Sequence, residues 1–393
     1  MPAPSQANEA TPPSQADGRA TPAAVWVLLG KHHGDNLQLL ALAQALGRPF
    51  TTIQLTWRPH LSRLPGILLG RSLLPLAEPV DWPTPWPTLV LTAGRRAVPI
   101  VRWIQAQARR KRIKTRLIQL GRPRAPLRWF DLIITTAQYG LPADRTNIVG
   151  NLLPLRFTQD VDDALLADTD ALAPFASLPR PWTVALVGGN SRPYYFDADS
   201  ARRLAGTLTR QVSVNGGSVI VLGSPRTREA CLETIASTLE IPHVVRGWSP
   251  DHNPYGALLR HADRFVVTGD SLSMLGDALG SGKPVELFEL PKRLDVRARI
   301  ATFSRSLASR SRAIAALYAA LMDAGLLFSL RDLAECHRRL RDAGMLAQPA
   351  HARAVIAQER SRALARIRML LDETPPIADI PIDRLHNREF GHL

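Results

Sequence analysis

Two stretches crowd short polar and charged residues at points where a chain of this kind would do chemistry. The first, GKHHGDNLQ over 30–38, gathers Lys31, His32, His33, Asp35, Asn36 and Gln38 directly behind the apolar run AVWVLL. The second, TGDSLSMLGDALG over 268–280, sets Asp270, Ser271 and Ser273 ahead of Met274, Leu275, Ala278 and Leu279 at helical spacing. Short polar side chains cap the free backbone N–H groups of a helix start. Those N–H groups, at the positive end of the helix dipole, attract anions and phosphate above all. Asp277, two turns into the same helix, stands where a carboxylate would accept hydrogen bonds from a ribose. An ordinary capped helix explains the second stretch equally well, and a solvated turn explains the first.

Both stretches need a strand to deliver them and a helix to carry them on, and the sequence supplies both repeatedly. In the first half, strands are expected at 24–29, 50–55, 88–91, 115–120 and 132–135, with helices over 37–46 and from 97 to about 112. The second half restarts the pattern with strands at 183–187, 218–222 and 243–245, helices at 200–211 and 229–239, and a further helix ending at 261. A strand at 265–267, the capped helix and a strand from 285 follow. Buried parallel strands read as continuous apolar runs, as these do. Each strand end of the second half bears glycine or a small polar residue: Gly188, Gly189 and Asn190, then Gly223 and Ser224, then Gly269 and Asp270. Turns of this kind meet on one edge of a parallel sheet. Their N–H groups, with Arg226 and Arg228, would hold a diphosphate, for which arginine forks are well suited. The turn after the first strand is neither GxGxxG nor a Walker A loop.

The expected organisation is a disordered tail over 1–22, a Rossmann-like domain over 23–160, a connection over 161–180 and a second Rossmann-like domain over 181–292. A helical extension over 293–375 and a tail over 376–393 complete the chain. Within the extension, helices are expected at 299–325, 330–346 and 350–371.

The 49 lysines and arginines against 34 acidic residues give a net charge of +15 and favour anionic partners. No acidic residue occurs between Trp82 and Phe130. Arg102, Arg109, Arg110 and Lys111 put much of this charge on one helix and its exit, a face suited to an anionic bilayer. A solvated helix is the alternative. No nucleic-acid motif accompanies the charge, so no nucleic-acid partner is expected. The segment 57–87, with Trp57, Trp82, Trp86, prolines, leucines and arginines, has either an interfacial composition or that of an insertion folded onto its own domain. No run reaches the roughly 18 apolar residues of a spanning helix. Cys231 and Cys336 show no metal-ligand spacing, and reduced thiols fit a cytoplasmic chain, at most peripheral on the inner face of the cell membrane.

Seven stretches in order carry a family resemblance: GKHHGDNLQ (30–38), LTAGRR (91–96), FDLIITT (130–136), LVGGNSRPY (186–194), GSPRTR (223–228), NPYGALLRHAD (253–263) and VTGDSLSMLGDALGSGKPV (267–285). The sequence resembles the elongate-mitochondria fission-factor family, whose bacterial members are also described as candidate glycosyltransferases. The resemblance implies a GT-B-like fold, α/β with two Rossmann-like domains facing across a cleft. It implies a nucleoside diphosphate sugar held in the second domain by Gly188, Gly189, Asn190, Ser224, Arg226, Thr227, Asn253, Asp270, Ser271, Ser273, Met274 and Asp277. The acceptor would lie in the first domain, with Asp35 or His33 as general base, and no metal or other cofactor is implied. A mitochondrial adaptor that recruits a dynamin-related protein is the non-catalytic alternative. A nicotinamide-dependent epimerase lacks its GxGxxG. Two departures from the family pattern stand out: the first turn is one residue longer, with His32-His33 where one residue is usual, and Asp277 replaces a longer glutamate.

Overall fold

The computed structural model describes residues 24–61, 64, 66–142, 145–155, 169–191, 193–249, 253–292, 312–325 and 331–371. The two terminal tails expected from the sequence, 161–168 of the connection between the halves, and 293–311 of the extension lie outside the described residues.

The first half is a six-stranded parallel sheet in the order β2-β1-β3-β4-β5-β6. Its strands are β1 (Val25–Leu29), β2 (Phe50–Gln54), β3 (Leu89–Ala93), β4 (Arg116–Leu120), β5 (Leu132–Thr136) and β6 (Ile148–Asn151). Helices α1 (His33–Ala45), α2 (Gly66–Leu69) and α3 (Val98–Arg110) connect them. The second half is a five-stranded parallel sheet in the order β11-β10-β7-β8-β9. It is built from β7 (Trp182–Val187), β8 (Ser218–Gly223), β9 (His243–Arg246), β10 (Arg264–Thr268) and β11 (Val285–Phe288). Its helices are α4 (Ala198–Asn215), α5 (Glu229–Thr238), α6 (Tyr255–His261) and α7 (Leu272–Gly280). The apolar runs behave as parallel strands must: every residue of β7 and β8 is buried.

In each sheet the strand order reverses once. In the first sheet β1 lies between β2 and β3; in the second, β7 lies between β8 and β10. Such reversals open a crevice at the carboxyl ends of the strands, where ligands settle.

The extension is not a separate layer. Its helices are α8 (Arg312–Asp323), α9 (Leu333–Asp342) and α10 (Pro349–Leu370). Leu333, Cys336 and Leu340 of α9 and Ala352 of α10 are buried in the core of the second half. Ala363, Leu364 and Ile367, three turns further along α10, are buried in the core of the first half with Val27, Leu91 and Ile118. One helix therefore belongs to both cores. Glu359, between these two sets, is buried and accepts the N–H of Leu152 at 2.7 Å, where the chain leaves the first sheet. Burial pushes its carboxyl up to about 7, against the pull of the Leu152 N–H and Arg362.

The tryptophan-rich segment proves to be an insertion folded onto its own domain. Trp82 stacks on Trp26 with centroids 5.9 Å apart, Trp86 lies 5.5 Å from Trp26, and both reach Trp103 of α3. The interfacial reading therefore fails for Trp82 and Trp86, whose rings are spent on packing. What the segment leaves outside is leucine: Leu64, Leu68 and Leu74 are exposed.

Candidate functional site

Helix α1 opens at His33, four residues earlier than the apolar spacing predicts, so Asp35 falls in its first turn instead of a free loop. Asn36 explains how the turn holds. Its side chain accepts the N–H of Gly30 at 2.9 Å and donates to the Gly30 carbonyl at 2.9 Å, closing the strand tip onto the helix. His32 has extended backbone at the cap position and no capping hydrogen bond. The side chain of His33 lies outside the described residues, so its candidacy as base receives no geometry.

On the other side, three neighbouring strand tips are tied around one carboxylate. Asp270, after β10, is fully buried; its Oδ2 accepts the Gly189 N–H at 3.0 Å and its Oδ1 accepts the Thr268 hydroxyl at 2.8 Å. Thr268 in turn accepts the Gly188 N–H at 2.7 Å. From the tip of β8, Arg226 pairs with Asp270 at 3.0 Å, and the Thr227 hydroxyl donates to the carbonyls of Val187 and Gly188. Glycine is required here by space. A Cβ at Gly188 would collide with the Asp270 carboxylate, and one at Gly189 with the Arg226 carbonyl. Burial pushes the Asp270 carboxyl up, opposed by Arg226, the Gly189 N–H and Thr268. Ser271 then caps α7, its hydroxyl oxygen accepting the Met274 N–H at 3.5 Å.

These two constructions open onto one cleft of about 520 Å³. From the first half it is lined by His32, Asp35, Gln38, Arg122, Gln138 and Tyr139, and from the second by Asn190, Ser191, Arg226, Asp270, Ser271 and Ser273. Arg331 joins them from the extension. Asp35 is half-buried, and its carboxyl is pushed up by burial, against the pull of His32 and Arg331. A carboxylate raised in this way is a stronger base than one in water.

Of the residues expected from the sequence, Asp35, Asn190, Arg226, Asp270, Ser271 and Ser273 thus come together on the cleft. Gly188, Gly189, Ser224 and Thr227 lie one layer beneath, as the scaffold of the turns. The Ser224 N–H donates to the Thr227 hydroxyl at 2.8 Å. Met274 contributes its N–H to the Ser271 cap, while its side chain packs on the second core. Two residues depart from expectation. Asp277 is buried away from the cleft lining and accepts the Tyr255 hydroxyl at 2.6 Å, so its carboxylate braces α6 against α7. Asn253 also lies outside the lining, where its side chain accepts the Tyr255 N–H at 3.1 Å as α6 begins.

The sequence reading missed Arg122, Gln138, Tyr139 and Arg331 as site residues. Arg122 had a signal, since Gly121-Arg122 ends β4 on the same edge as the turn of Asp35; Arg331, on the far side of both sheets in sequence, had none. On the basic helix, Arg109, Arg110 and Lys111 are exposed as expected, but Arg102 is not. Arg102 is half-buried, donates to Gln105 at 2.7 Å and lies 4.9 Å over the Trp129 ring. Among the described residues no helix is long and apolar enough to cross a membrane, and no three His, Cys, Asp or Glu side chains converge as metal ligands would.

Two Rossmann-like domains whose ligand edges meet across a single cleft define a GT-B-like architecture. The chain belongs to the mitochondrial fission ELM1 family, whose model matches residues 33–348. It is 26% identical over 304 residues to an uncharacterized protein of Rickettsia prowazekii, covering 68% of this chain and 83% of that one. It is 28% identical over 279 residues to the mitochondrial fission protein ELM1 of Arabidopsis thaliana, covering 65% of this chain and 63% of the plant protein. Among solved structures, an S. aureus MnaA–UDP complex is 8% identical with a TM-score of 0.48, covering 90% of this chain and 98% of that one. A Phytolacca americana UGT2 complexed with UDP-2-fluoro-glucose and pterostilbene is 10% identical with a TM-score of 0.42, covering 89% and 100%. At such scores the architecture rests on the two sheets of this chain itself.

Proposed function

We propose that this protein is a glycosyltransferase that takes its sugar from a nucleoside diphosphate. The observation that carries the reading is the knot of strand tips around Asp270. It leaves the N-terminus of α7 and the Arg226 guanidinium facing a cleft whose opposite wall holds a carboxylate of raised affinity for protons. The diphosphate would rest on the N–H groups at Ser271 to Ser273 and on Arg226. Asp35 would take the proton of the acceptor hydroxyl as that oxygen bonds the anomeric carbon. The bond from this carbon to the diphosphate breaks, and its electron pair leaves with the diphosphate. Charge on the leaving group is met by the helix dipole and Arg226, so the step calls for no bound metal or other cofactor.

The acceptor, on this reading, is membrane-associated or lipid-linked and belongs to cell-envelope glycan synthesis, with the protein cytoplasmic and peripheral on the inner face of the membrane. Arg58 and Arg71 line an open groove beside exposed Leu74, and Arg109, Arg110 and Lys111 continue the charge. Each basic residue near an anionic surface contributes about 1 kcal/mol. The same exposed leucines and arginines favour a second reading, a non-catalytic adaptor that binds a membrane or a protein partner.

Calorimetric titration of the full chain with UDP- and CMP-sugars separates the two. Saturable binding abolished by Arg226→Ala supports the transferase. Absence of binding to any nucleotide sugar, with vesicle binding retained, leaves the adaptor.

A further inference from the structure

The wall of the cleft that carries Asp35 also holds a cluster of cations suited to an anion of its own. Arg122 follows Gly121 at the tip of β4 and is 9% exposed. Two more cations, Arg124 and Arg331, lie within its electrostatic reach, and the phenols of Tyr139 and Tyr318 face the same group. Burial and these like charges push its guanidinium down to about 10. Arg124 holds a left-handed backbone with φ of 52°, which non-glycine residues rarely adopt, so the turn that carries both arginines is strained. Arg331 arrives from the opposite end of the chain and is aimed by a buried relay. Its Nε donates to Gln138 Oε1 at 2.8 Å, and Gln138 Nε2 donates to Thr136 Oγ1 at 2.8 Å.

The floor of the cleft adds an independent observation. Thr135 Oγ1 and Asn151 Nδ2 are buried polar atoms with no hydrogen-bond partner, in residues 7% and 4% exposed. Both residues line the cleft at the tips of the neighbouring strands β5 and β6, but Asn151 is level with Thr136 and Thr135 with Gly150, so their side chains leave opposite faces of the sheet and Asn151 is the one on the face of Thr136 and its relay. Arg362 donates to Asn151 Oδ1 at 3.0 Å, which fixes the amide with its N–H₂ left over. A buried donor without an acceptor costs about 1–3 kcal/mol. Two guanidinium forks and one amide N–H₂ form a set rich in donors, and the ligand matched to it is a tetrahedral oxyanion.

We infer that Arg122 and Arg331, with Asn151, form a second anion subsite in the cleft, and that the acceptor is a phosphorylated alcohol. Its phosphoryl group lies on this wall, its free hydroxyl faces Asp35, and the diphosphate of the donor occupies the opposite wall at Arg226. The subsite stands on its own geometry; its assignment to the acceptor rests on the transferase reading.

Calorimetric titration of the full chain with inorganic phosphate, with and without saturating UDP, tests both. The expected result is that phosphate and UDP bind together. Arg331→Gln and Arg122→Met then weaken phosphate at least about tenfold, as loss of a charge-assisted hydrogen bond would, and change UDP affinity by less than about threefold. Arg331 is exposed and its variant is the one expected to fold without loss; thermal unfolding of each variant checks this. Displacement of phosphate by UDP, or phosphate affinity indifferent to both substitutions, overturns the second subsite. If UDP does not bind while phosphate binding depends on Arg331, the donor assignment falls and the subsite stands. Glycerol 3-phosphate and a short-chain phosphatidic acid, titrated in parallel, distinguish a soluble from a lipid source. Tighter binding of either than of inorganic phosphate supports the phosphorylated alcohol, and equal or weaker binding of both overturns it.

Discussion

The two walls of the cleft are made by opposite means. The wall from the second half is backbone: two glycines, a helix start and a buried carboxylate hold the strand tips so closely that a single methyl group has no room. The wall opposite is side chain: Asp35, Arg122 and Tyr139 of the first half and Arg331 of the extension reach inward from four separate segments. A surface of N–H groups suits an anionic group common to many ligands, whereas a surface of side chains discriminates by charge and shape. The comparison teaches that the wall built of backbone is the one expected to serve a general donor, and the wall built of side chains the one that selects.

Breaking the side-chain wall should have the largest effect. Asp35→Asn is expected to lower turnover by about 10²–10⁴-fold, the span of general-base catalysis, while UDP affinity stays within about threefold. Steady-state rates together with calorimetry check it, and a matching loss of UDP binding would show that the walls do not act separately.

Next comes a pair of substitutions in the helices that brace each wall. His337, on α9, is buried against Gly269 and pushed down to about 4 by burial and by Arg341 and Lys292, with Glu289 opposing. The folded chain therefore prefers the neutral ring, and stability is lost as pH falls from about 6.5 toward 4. Glu359 works the other way: its carboxyl, raised from 4.5 to about 7, makes stability fall as pH rises through that window. Each amounts to roughly 3 kcal/mol at full extent. Between pH 4.5 and 6.5 the two oppose each other. Relative to the parent chain, His337→Gln is expected to gain stability on acidification and Glu359→Gln on alkalinisation, read as shifts in denaturant midpoint across pH. Parallel curves would deny these groups their shifts.

Glycine gives the sharpest contrast at smaller scale. Gly188→Ala is expected to cost about 1–3 kcal/mol of stability through overpacking, with UDP binding lost alongside. Gly34 also lines the cleft, but a Cβ there meets nothing within 4 Å. Gly34→Ala, in the first turn of α1, should raise stability by about 0.5–1 kcal/mol and leave UDP affinity alone. Thermal unfolding of the two variants together decides whether only one wall is sterically closed.

The sequence disclosed each part in proportion to how local its cause is. The central strands of both sheets were legible because burial on two faces leaves an unbroken apolar run, as in VWVLL and WTVALV, whereas the edge strand β6, the short IVGN with glycine in it, was not among those expected. The cap of α7 was legible because Ser271 and Met274 are three residues apart. Helix α1 starts earlier than expected because Asn36 clasps Gly30 from inside the first turn, and helical periodicity carries no sign of such a clasp. Asp277 was misplaced because its partner, Tyr255, sits on a different helix 22 residues away. Arg331 was invisible for the same reason enlarged: its aim is set by Gln138, 193 residues earlier. No periodicity or spacing rule relates residues that far apart.

The straddling of α10 has a bearing on how the chain is made. Translation delivers the strands of the first sheet early, but Ala363, Leu364 and Ile367, which with α1 cover one of its faces, come after every strand of the second. A nascent chain therefore emerges with the part of that face beyond α1 uncovered until nearly all of the described residues have left the ribosome. Holding that surface in check in the interval is work for a chaperone, and a chain stopped short of Ile367 would have greasy strands where the finished protein has a seam.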